Sequence, residues 1–494
     1  MIYCTHMHAL RISRSVTQSF VERRTMFVFF VALVGAAILA TIIPGWLPLI
    51  VLVGAGVITA LAFFPVAGMC LLAALMPMSG WVINFGVYNW SRHIPILNTI
   101  DAPAADFFAL VLLISYSVRL LALWGIPGRE ERPRLAPHSA VFWLFLFVQL
   151  LSVVFATRED ALGIGVKYVL RPMLFMYLMW VLLPFTIVRT REALDRVLRW
   201  MYGVGVGGAV MGMISLILGA AQGGWTRVTP FALAGWTPFG TNHNLLAEVL
   251  VVILPIGAYL LHQEDRPHVR RWLFVGNALI LVATLLTFAR SAWIVLFVEC
   301  LLALWLMRDS IGRLPVVRFR RQMVGLALAL LLPILVYMIA ISTSSLVAGS
   351  NDTRIDLARI SWEYFRDRPL LGQGPGTFLS IVADTHVYVI EYGDPLDAHG
   401  MLQKIIAESG LLGLITWVLM LTIFMLYGWR GVMRARSLPE YPLVVALFVA
   451  ASGAIVYQIF NTSYYSGKMW LPIGLLLVGA HVVVWKYRES KSFI

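Results

Sequence analysis

The sequence predicts an all-α protein, a polytopic bundle of transmembrane helices, and three observations carry the prediction. Of its 494 residues 60% are apolar and only 13% are charged. The chain therefore holds many runs of about 18 or more mostly apolar residues, the length a helix needs to cross a bilayer. These runs lack the alternation over roughly ten residues that marks a strand of an outer-membrane barrel. The basic residues behind the net charge of +13 lie in short loops between apolar runs, not in one patch, which argues against a nucleic-acid partner.

Taken in order, spans are expected at 27–43, 47–64, 65–80, 105–124, 139–156, 168–188, 197–219, 244–262, 272–288, 291–307, 323–342, 405–429, 442–460 and 468–486. That is about fourteen spans, with twelve as the shorter count. The first three are divided only by Pro44, Pro48 and Pro65, since residues 27–80 carry no charge. Orientation follows from the loops. Placing both termini in the cytoplasm puts there Arg11, Arg14, Arg23, Arg24, Arg119 and the basic loops at 129–134, 189–199, 266–271, 308–321, 430–436 and 486–491, most of the 38 Lys and Arg. Residues 1–25 then read as a basic cytoplasmic lead into a retained helix, with cleavage after Ala40 as the alternative. Cys4, Cys70 and Cys300 are far apart and form neither a CxxC pair nor a disulfide framework.

The run from Trp272 to Met307 would be roughly 54 Å long as one helix, against a hydrocarbon core of about 30 Å. It must fold back near Ala289–Ser291, which places Arg290 at an external turn. A second feature is the external loop at 343–404, far longer than the usual connection of about 4 to 6 residues. Asn351 or Asp352 is expected to cap a helix within it. Ile355, Ala358, Trp362 and Phe365 share one face of that helix, and Arg359, Glu363 and Arg366 another. Such a helix suits the outer membrane surface. PLLGQGPG, with Pro369 and three glycines, ends it in a turn.

Three external groups bear chemistry. Arg227 is the sole charge in the loop between the spans ending at 219 and starting at 244. It either binds lipid phosphates or grips an anionic substrate, because guanidinium offers paired donors that match phosphate oxygens. Arg290 either snorkels to headgroups as the punctuation between two helices or serves the same anion. His399 is an ordinary surface residue or, with its near-neutral pKa and its place at the mouth of a span, a general base. Lys404 and Glu408, four residues apart, can pair on one helix face. Glu248 and Glu299 fall inside spans, where charge is expensive, and read as satisfied structural groups. No Walker loop, HExxH or GxSxG motif is present, and His243 has no second ligand at metal spacing.

Three phrases in order, RVTPFALAGWTPFGTNHNLLAEVLVVILP, TFARSAWIVL and the stretch from TRIDLARISWEYFRDRPLLGQGPGTF to DAHGMLQKIIAESGLLGL, resemble the signature regions of the bacterial O-antigen ligase and polymerase family. That family also includes exopolysaccharide polymerases and some protein O-oligosaccharyltransferases. The resemblance covers about residues 220–430, leaving helices at 26–219 before it and helices with a cytoplasmic tail at 431–494 after it. Arg227 matches the family arginine that precedes a Gly-Asn-Pro-Asn segment, with Asn242 and Asn244 in the asparagine positions and His243 in place of the proline. Ala289–Arg290 matches a Ser-Arg pair. Arg354 matches the loop arginine and His399 the histidine, which Gly400 follows where many members have asparagine.

The resemblance implies an enzyme of the inner membrane whose active site faces the periplasm. It would transfer a glycan, with inversion, from undecaprenyl diphosphate to a sugar hydroxyl, using no cofactor and no metal. Arg227 and Arg290 would bind the diphosphate and His399 would accept the acceptor's proton. Arg354, Trp362, Glu408, Asn242 and Asn244 would support the site or the acceptor, and Trp225, Trp236 or Trp362 could stack on sugars. Implied partners are the lipid-linked donor, a glycan or lipid A-core acceptor, membrane lipids and polysaccharide export proteins. The competing classes are a lipid-linked glycan flippase or other transporter, for which internal repeats and midplane charges are expected, and a non-catalytic scaffold of a polysaccharide assembly complex.

Overall fold

The computed structural model of the chain describes residues 30–31, 34–35, 47–84, 101–123, 134–221, 227–232, 236–311 and 345–491. Among these it is a multi-pass helical membrane protein. The strands among the described residues are β1 (Val82–Asn84) and β2 (Asp101–Pro103), an antiparallel pair with Ile83 opposite Ala102.

The first helices are α1 (Leu47–Phe63) and α2 (Pro65–Leu75). Phe64 between them has φ −120° and ψ 58°, and Pro65 brings no N–H to continue the ladder, so the chain bends by 109°. The segments expected as separate spans at 47–64 and 65–80 thus pass the length test only as one bent pair. Then come α3 (Ala104–Leu123), α4 (Ser139–Phe155), α5 (Ala161–Ile187) and α6 (Arg191–Ala221). α5 begins before the expected residue 168 and carries two π-helical stretches, Val169–Phe175 around Pro172 and Leu178–Leu182. α7 (His243–Gln263), α8 (Pro267–Leu286) and α9 (Arg290–Ile311) follow, with the fold-back between α8 and α9 where the length argument required it. The expected span 323–342 and nearly all of 27–43 lie outside the described residues.

After the external loop come α13 (Met401–Ala435), α14 (Tyr441–Tyr457) and α15 (Gly467–Lys491). Helices α10 (Ser345–Asp367), α11 (Phe378–Ala383) and α12 (His386–Tyr392) lie within that loop. α14 packs against α7, α9, α13 and α15 and is buried nearly all round from Leu443 to Ala451, so it has no polar face. α8 is peripheral: Trp272 is 76% and Phe274 64% exposed. On a soluble protein such a row would be an adhesive patch; here it is the surface that lipid covers.

The external loop has a core of its own, in which Leu357, Ile360, Phe378, Ile381, Val382, Tyr388, Ala398 and Ala407 pack together. It is folded, as its length and helical pattern suggest, but one expectation needs correction. α10 begins at Ser345, so Asn351 and Asp352 lie inside it and do not cap it. The face it buries is Leu357, Ile360 and Ser361, whose hydroxyl is satisfied by the Leu357 carbonyl at 2.7 Å. The expected apolar face is the outer one, with Ile355 58% and Trp362 55% exposed. α10 has two apolar stripes, and the one with the fewer aromatics packs inward. The other, flanked by Arg359 and Arg366, is the one suited to a membrane surface.

The PLLGQGPG turn docks into a break in α13. Gly410 has φ 63° and ψ −161°, which interrupts the helix that the sequence presents as continuous. Freed by the break, the Leu411 and Leu412 amides donate to the Pro369 and Leu370 carbonyls at 2.8 and 3.1 Å, while Gln373 and Gly374 donate to Ala407 and Glu408 at 3.1 and 2.8 Å. The Ser152 hydroxyl of α4 reaches the Leu371 and Glu408 carbonyls at 2.5 and 3.1 Å. The loop is therefore locked onto the bundle through backbone groups.

Candidate active site

The α8–α9 turn holds Arg290 without glycine or proline. Thr287 accepts from the Ala289 amide at 3.2 Å and donates to the Thr284 carbonyl at 2.6 Å, and Phe288 adopts φ 53°. Positive φ at a bulky aromatic residue is strained. Trp293 holds it, with its ring edge-on to Phe288 at 6.1 Å and its indole N–H on the Leu285 carbonyl at 3.2 Å. Arg290 is thereby set at the first position of a 22-residue helix, where backbone donors and the helix dipole favour an anion. Both its terminal nitrogens donate to Asn351 Oδ1 at 3.3 Å.

Asn351 and Arg354 sit one turn apart on α10. Burial, and after it the charge of Arg290, pushes the Arg354 guanidinium below its ordinary value, and its buried Nε has no hydrogen-bond partner. Two cations are thus held in mutual repulsion, one of them short of an acceptor. His399 adjoins Arg354. Its half-buried ring is pulled below the usual histidine range first by burial and then by the Arg354 charge, against a smaller opposing pull from Asp397. A neutral imidazole beside the Arg354 guanidinium is the form that can take up a proton.

The backbone around His399 is pinned on both sides. Lys404 Nζ donates to both Asp397 oxygens at 2.8 Å, Thr462 donates to the Ala398 carbonyl at 2.8 Å, and the Met401 amide donates to the Gln458 carbonyl at 2.9 Å. Gly400 has a packing reason: a Cβ there would lie 2.7 Å from the Ile459 carbonyl oxygen. Lys404 also makes the expected pair with Glu408, at 3.9 Å.

Arg227 approaches from a third direction. Its Nη1 lies 3.2 Å from His243 Nε2, and the next amide, Val228, donates to the Leu286 carbonyl at 2.8 Å, at the base of the Arg290 turn. Asn242 caps α7 by accepting from the Asn244 amide at 2.8 Å. The Asn244 carbonyl accepts from the Tyr457 hydroxyl at 2.7 Å, at the end of α14. Because Gln458 holds Met401, the start of α7, the Arg290 turn and the His399 segment meet around the last turn of α14. The N-termini of α7, α9 and α13 all lie at this meeting point, adding partial positive charge to the arginines.

Residues 275–418 match the family model described as O-antigen ligase. Over that region the chain is similar to the O-antigen ligase family. The matched region holds Arg290, Arg354, Trp362, His399 and Glu408, whereas Arg227, Asn242 and Asn244 precede it in sequence and join it in space. The match supports glycan transfer of the O-antigen ligase type as the general function. No curated protein matches the chain.

The expected residues divide by what they touch. Arg290, Arg354 and His399 come together, and Arg227 stands beside the same turn without a hydrogen bond or ion pair to His399 among the described residues. Glu408 points away from them: 1% exposed, it accepts from the Phe378 amide at 3.0 Å and anchors the loop. Trp362 lies on the open face of α10 beside Phe365, Trp236 is edge-on to Trp81, and Trp225 is outside the described residues. Glu248 accepts from Gln458 at 2.7 Å and from Ser463 through one oxygen, while its other oxygen lies 3.9 Å from Lys468 Nζ without a hydrogen bond, so the expectation of a satisfied group holds only in part. Glu299, packed on Gly453, has neither oxygen hydrogen-bonded. Sequence reasoning missed Asn351 as the holder of Arg290 and Tyr457 as the hub. The first was signalled only by its place one helical turn before Arg354.

Proposed function

We propose that the protein is a glycan transferase of the bacterial inner membrane that moves a glycan from undecaprenyl diphosphate to a sugar hydroxyl at the periplasmic face, with inversion. The observation that carries this reading is the cluster of Arg290, Arg354 and His399, in which the buried Nε of a partly buried guanidinium lacks a hydrogen-bond partner beside a neutral imidazole. His399 takes the proton of the acceptor hydroxyl as its oxygen bonds to the anomeric carbon. The bond from that carbon to the diphosphate breaks on the opposite face, and the electron pair leaves with the phosphate oxygen. Arg227, Arg290, Arg354 and the converging helix N-termini stabilise the charge that develops there. The acceptor is another lipid-linked repeat unit for a polymerase or a lipid A-core sugar for a ligase, bound along the outer face of α10 where Trp362 offers a stacking surface.

The test is consumption of undecaprenyl-diphosphate-linked glycan by the purified protein in liposomes, in the presence of chelator. His399→Ala should abolish nearly all turnover, and Arg290→Lys should lower it because a point charge cannot replace the paired donors. Full turnover by His399→Ala would remove His399 as the base. One observation favours transport instead, the buried carboxylate of Glu299 inside α9. A transporter would lose translocation of the lipid-linked glycan in Glu299→Gln and keep it in His399→Ala.

A further inference from the structure

His243 stands where the family resemblance places a proline, and the structure shows what the exchange introduces. Its Nε2 lies 3.2 Å from Arg227 Nη1. Guanidinium has no acceptor, so the bond exists only with Arg227 as donor and an imidazole unprotonated at Nε2. The histidine is the first residue of α7, held by the Asn242 cap and by the Tyr457 hydroxyl on the Asn244 carbonyl. Arg227 itself is exposed, on a loop tied to the bundle by the Val228 amide. An exposed arginine samples many rotamers, and fixing one of them before a ligand arrives removes that ordering entropy from binding.

We propose that His243 is a positioning residue: its neutral imidazole holds the Arg227 guanidinium at the start of α7, on the loop that Val228 ties to the base of the Arg290 turn, ready for the donor diphosphate. Because only one terminal nitrogen of Arg227 is engaged among the described residues, its remaining donors are offered to phosphate oxygens. The proposal rests on Arg227 binding the diphosphate, and the experiment separates the two claims.

The experiment measures the Kd of undecaprenyl diphosphate for the full chain in lipid nanodiscs, for wild type, His243→Ala, His243→Gln, Arg227→Ala and the double variant His243→Ala/Arg227→Ala. Loss of a hydrogen bond to a charged group should weaken binding roughly tenfold in His243→Ala. Gln, which keeps an acceptor, should restore most of it. In the Arg227→Ala background, His243→Ala should change Kd less than about twofold, because the residue it positions is gone. A merely structural role for His243 would give the same loss in both backgrounds, and that result overturns the proposal. So does wild-type affinity in His243→Ala when Arg227→Ala binds weakly. Wild-type affinity in Arg227→Ala would instead overturn the assignment of Arg227 to the diphosphate. Should His243→Ala fold poorly, as judged by its elution profile, His243→Leu takes its place in the same cycle.

Discussion

Gly410→Ala should loosen the external loop and the site with it. The backbone at Gly410, φ 63° and ψ −161°, lies in a region reserved almost wholly for glycine, where another residue costs about 1–3 kcal/mol. The added Cβ would sit 2.5 Å from the Leu370 carbonyl carbon and 2.7 Å from the Leu371 nitrogen. Both are backbone atoms, so the PLLGQGPG turn must shift as a unit. That shift strains the bonds from the Leu411 and Leu412 amides to Pro369 and Leu370, each worth about 0.5–1.5 kcal/mol. The sum is on the order of 4 kcal/mol, which in a large domain corresponds to on the order of 10 °C in thermal midpoint. The assay is loss of the monodisperse elution peak in detergent after stepwise heating, together with the rate of loop cleavage by a protease. Gly163→Ala is the control, since a Cβ there meets nothing within 4 Å. A midpoint for Gly410→Ala within about 2 °C of wild type would refute the reading of α13 as a broken helix that docks the loop.

His399→Ala should lower turnover by about 10²–10⁴-fold, the usual contribution of a positioned base, in a single-turnover assay. Because burial and Arg354 hold the His399 pKa below 6.5, the ring stays neutral until the pH falls beneath that value. The acid limb of the pH–rate profile should therefore lie below 6.5, and Arg354→Met, which removes the like charge, should move it upward; an unmoved limb would disconnect the two residues. Asn351→Ala should weaken diphosphate binding several-fold by releasing Arg290, its partner at 3.3 Å, as a binding titration would show. Lys404→Met should lower the thermal midpoint, because it leaves the buried Glu408 and the adjoining Asp397 without their cation.

The membrane architecture was legible because hydropathy is a property of each segment alone. Fold-back at Arg290 needed only the length of an apolar run, and the structure places α8 and α9 on either side of it. What depends on contacts between distant segments was not legible. α10 carries two apolar stripes of similar strength, and the choice of the inward one is made by Phe378, Ile381 and Tyr388, which follow it in the loop. The break at Gly410 was hidden for the same reason, since glycine is tolerated inside membrane helices and only the docked turn shows why the ladder stops. For the candidate site, residue type and external position singled out Arg227, Arg290 and His399, and the family resemblance added Arg354. They could not separate Glu408, which has the same apparent exposure at the mouth of a span but is consumed by the loop it anchors.

The arrangement also explains how the cationic cluster is held together. Like-charged guanidinium groups repel, and in a partly buried setting water screens that repulsion only weakly. A site that must keep Arg290 and Arg354 close in the absence of an anion therefore needs supports whose strength does not come from neutralising them. Asn351, a neutral acceptor, serves for Arg290. Thr287 and Thr284 fix the turn below it, and the α13 break fixes the loop that carries Arg354. The nearby carboxylates are engaged elsewhere, Glu248 with Lys468 and Glu408 with Lys404, so none of them quenches the cluster. On the proposed reading, an acid placed against Arg354 would stabilise the empty protein and compete with the diphosphate, whereas an Nε without an acceptor leaves that interaction to the ligand.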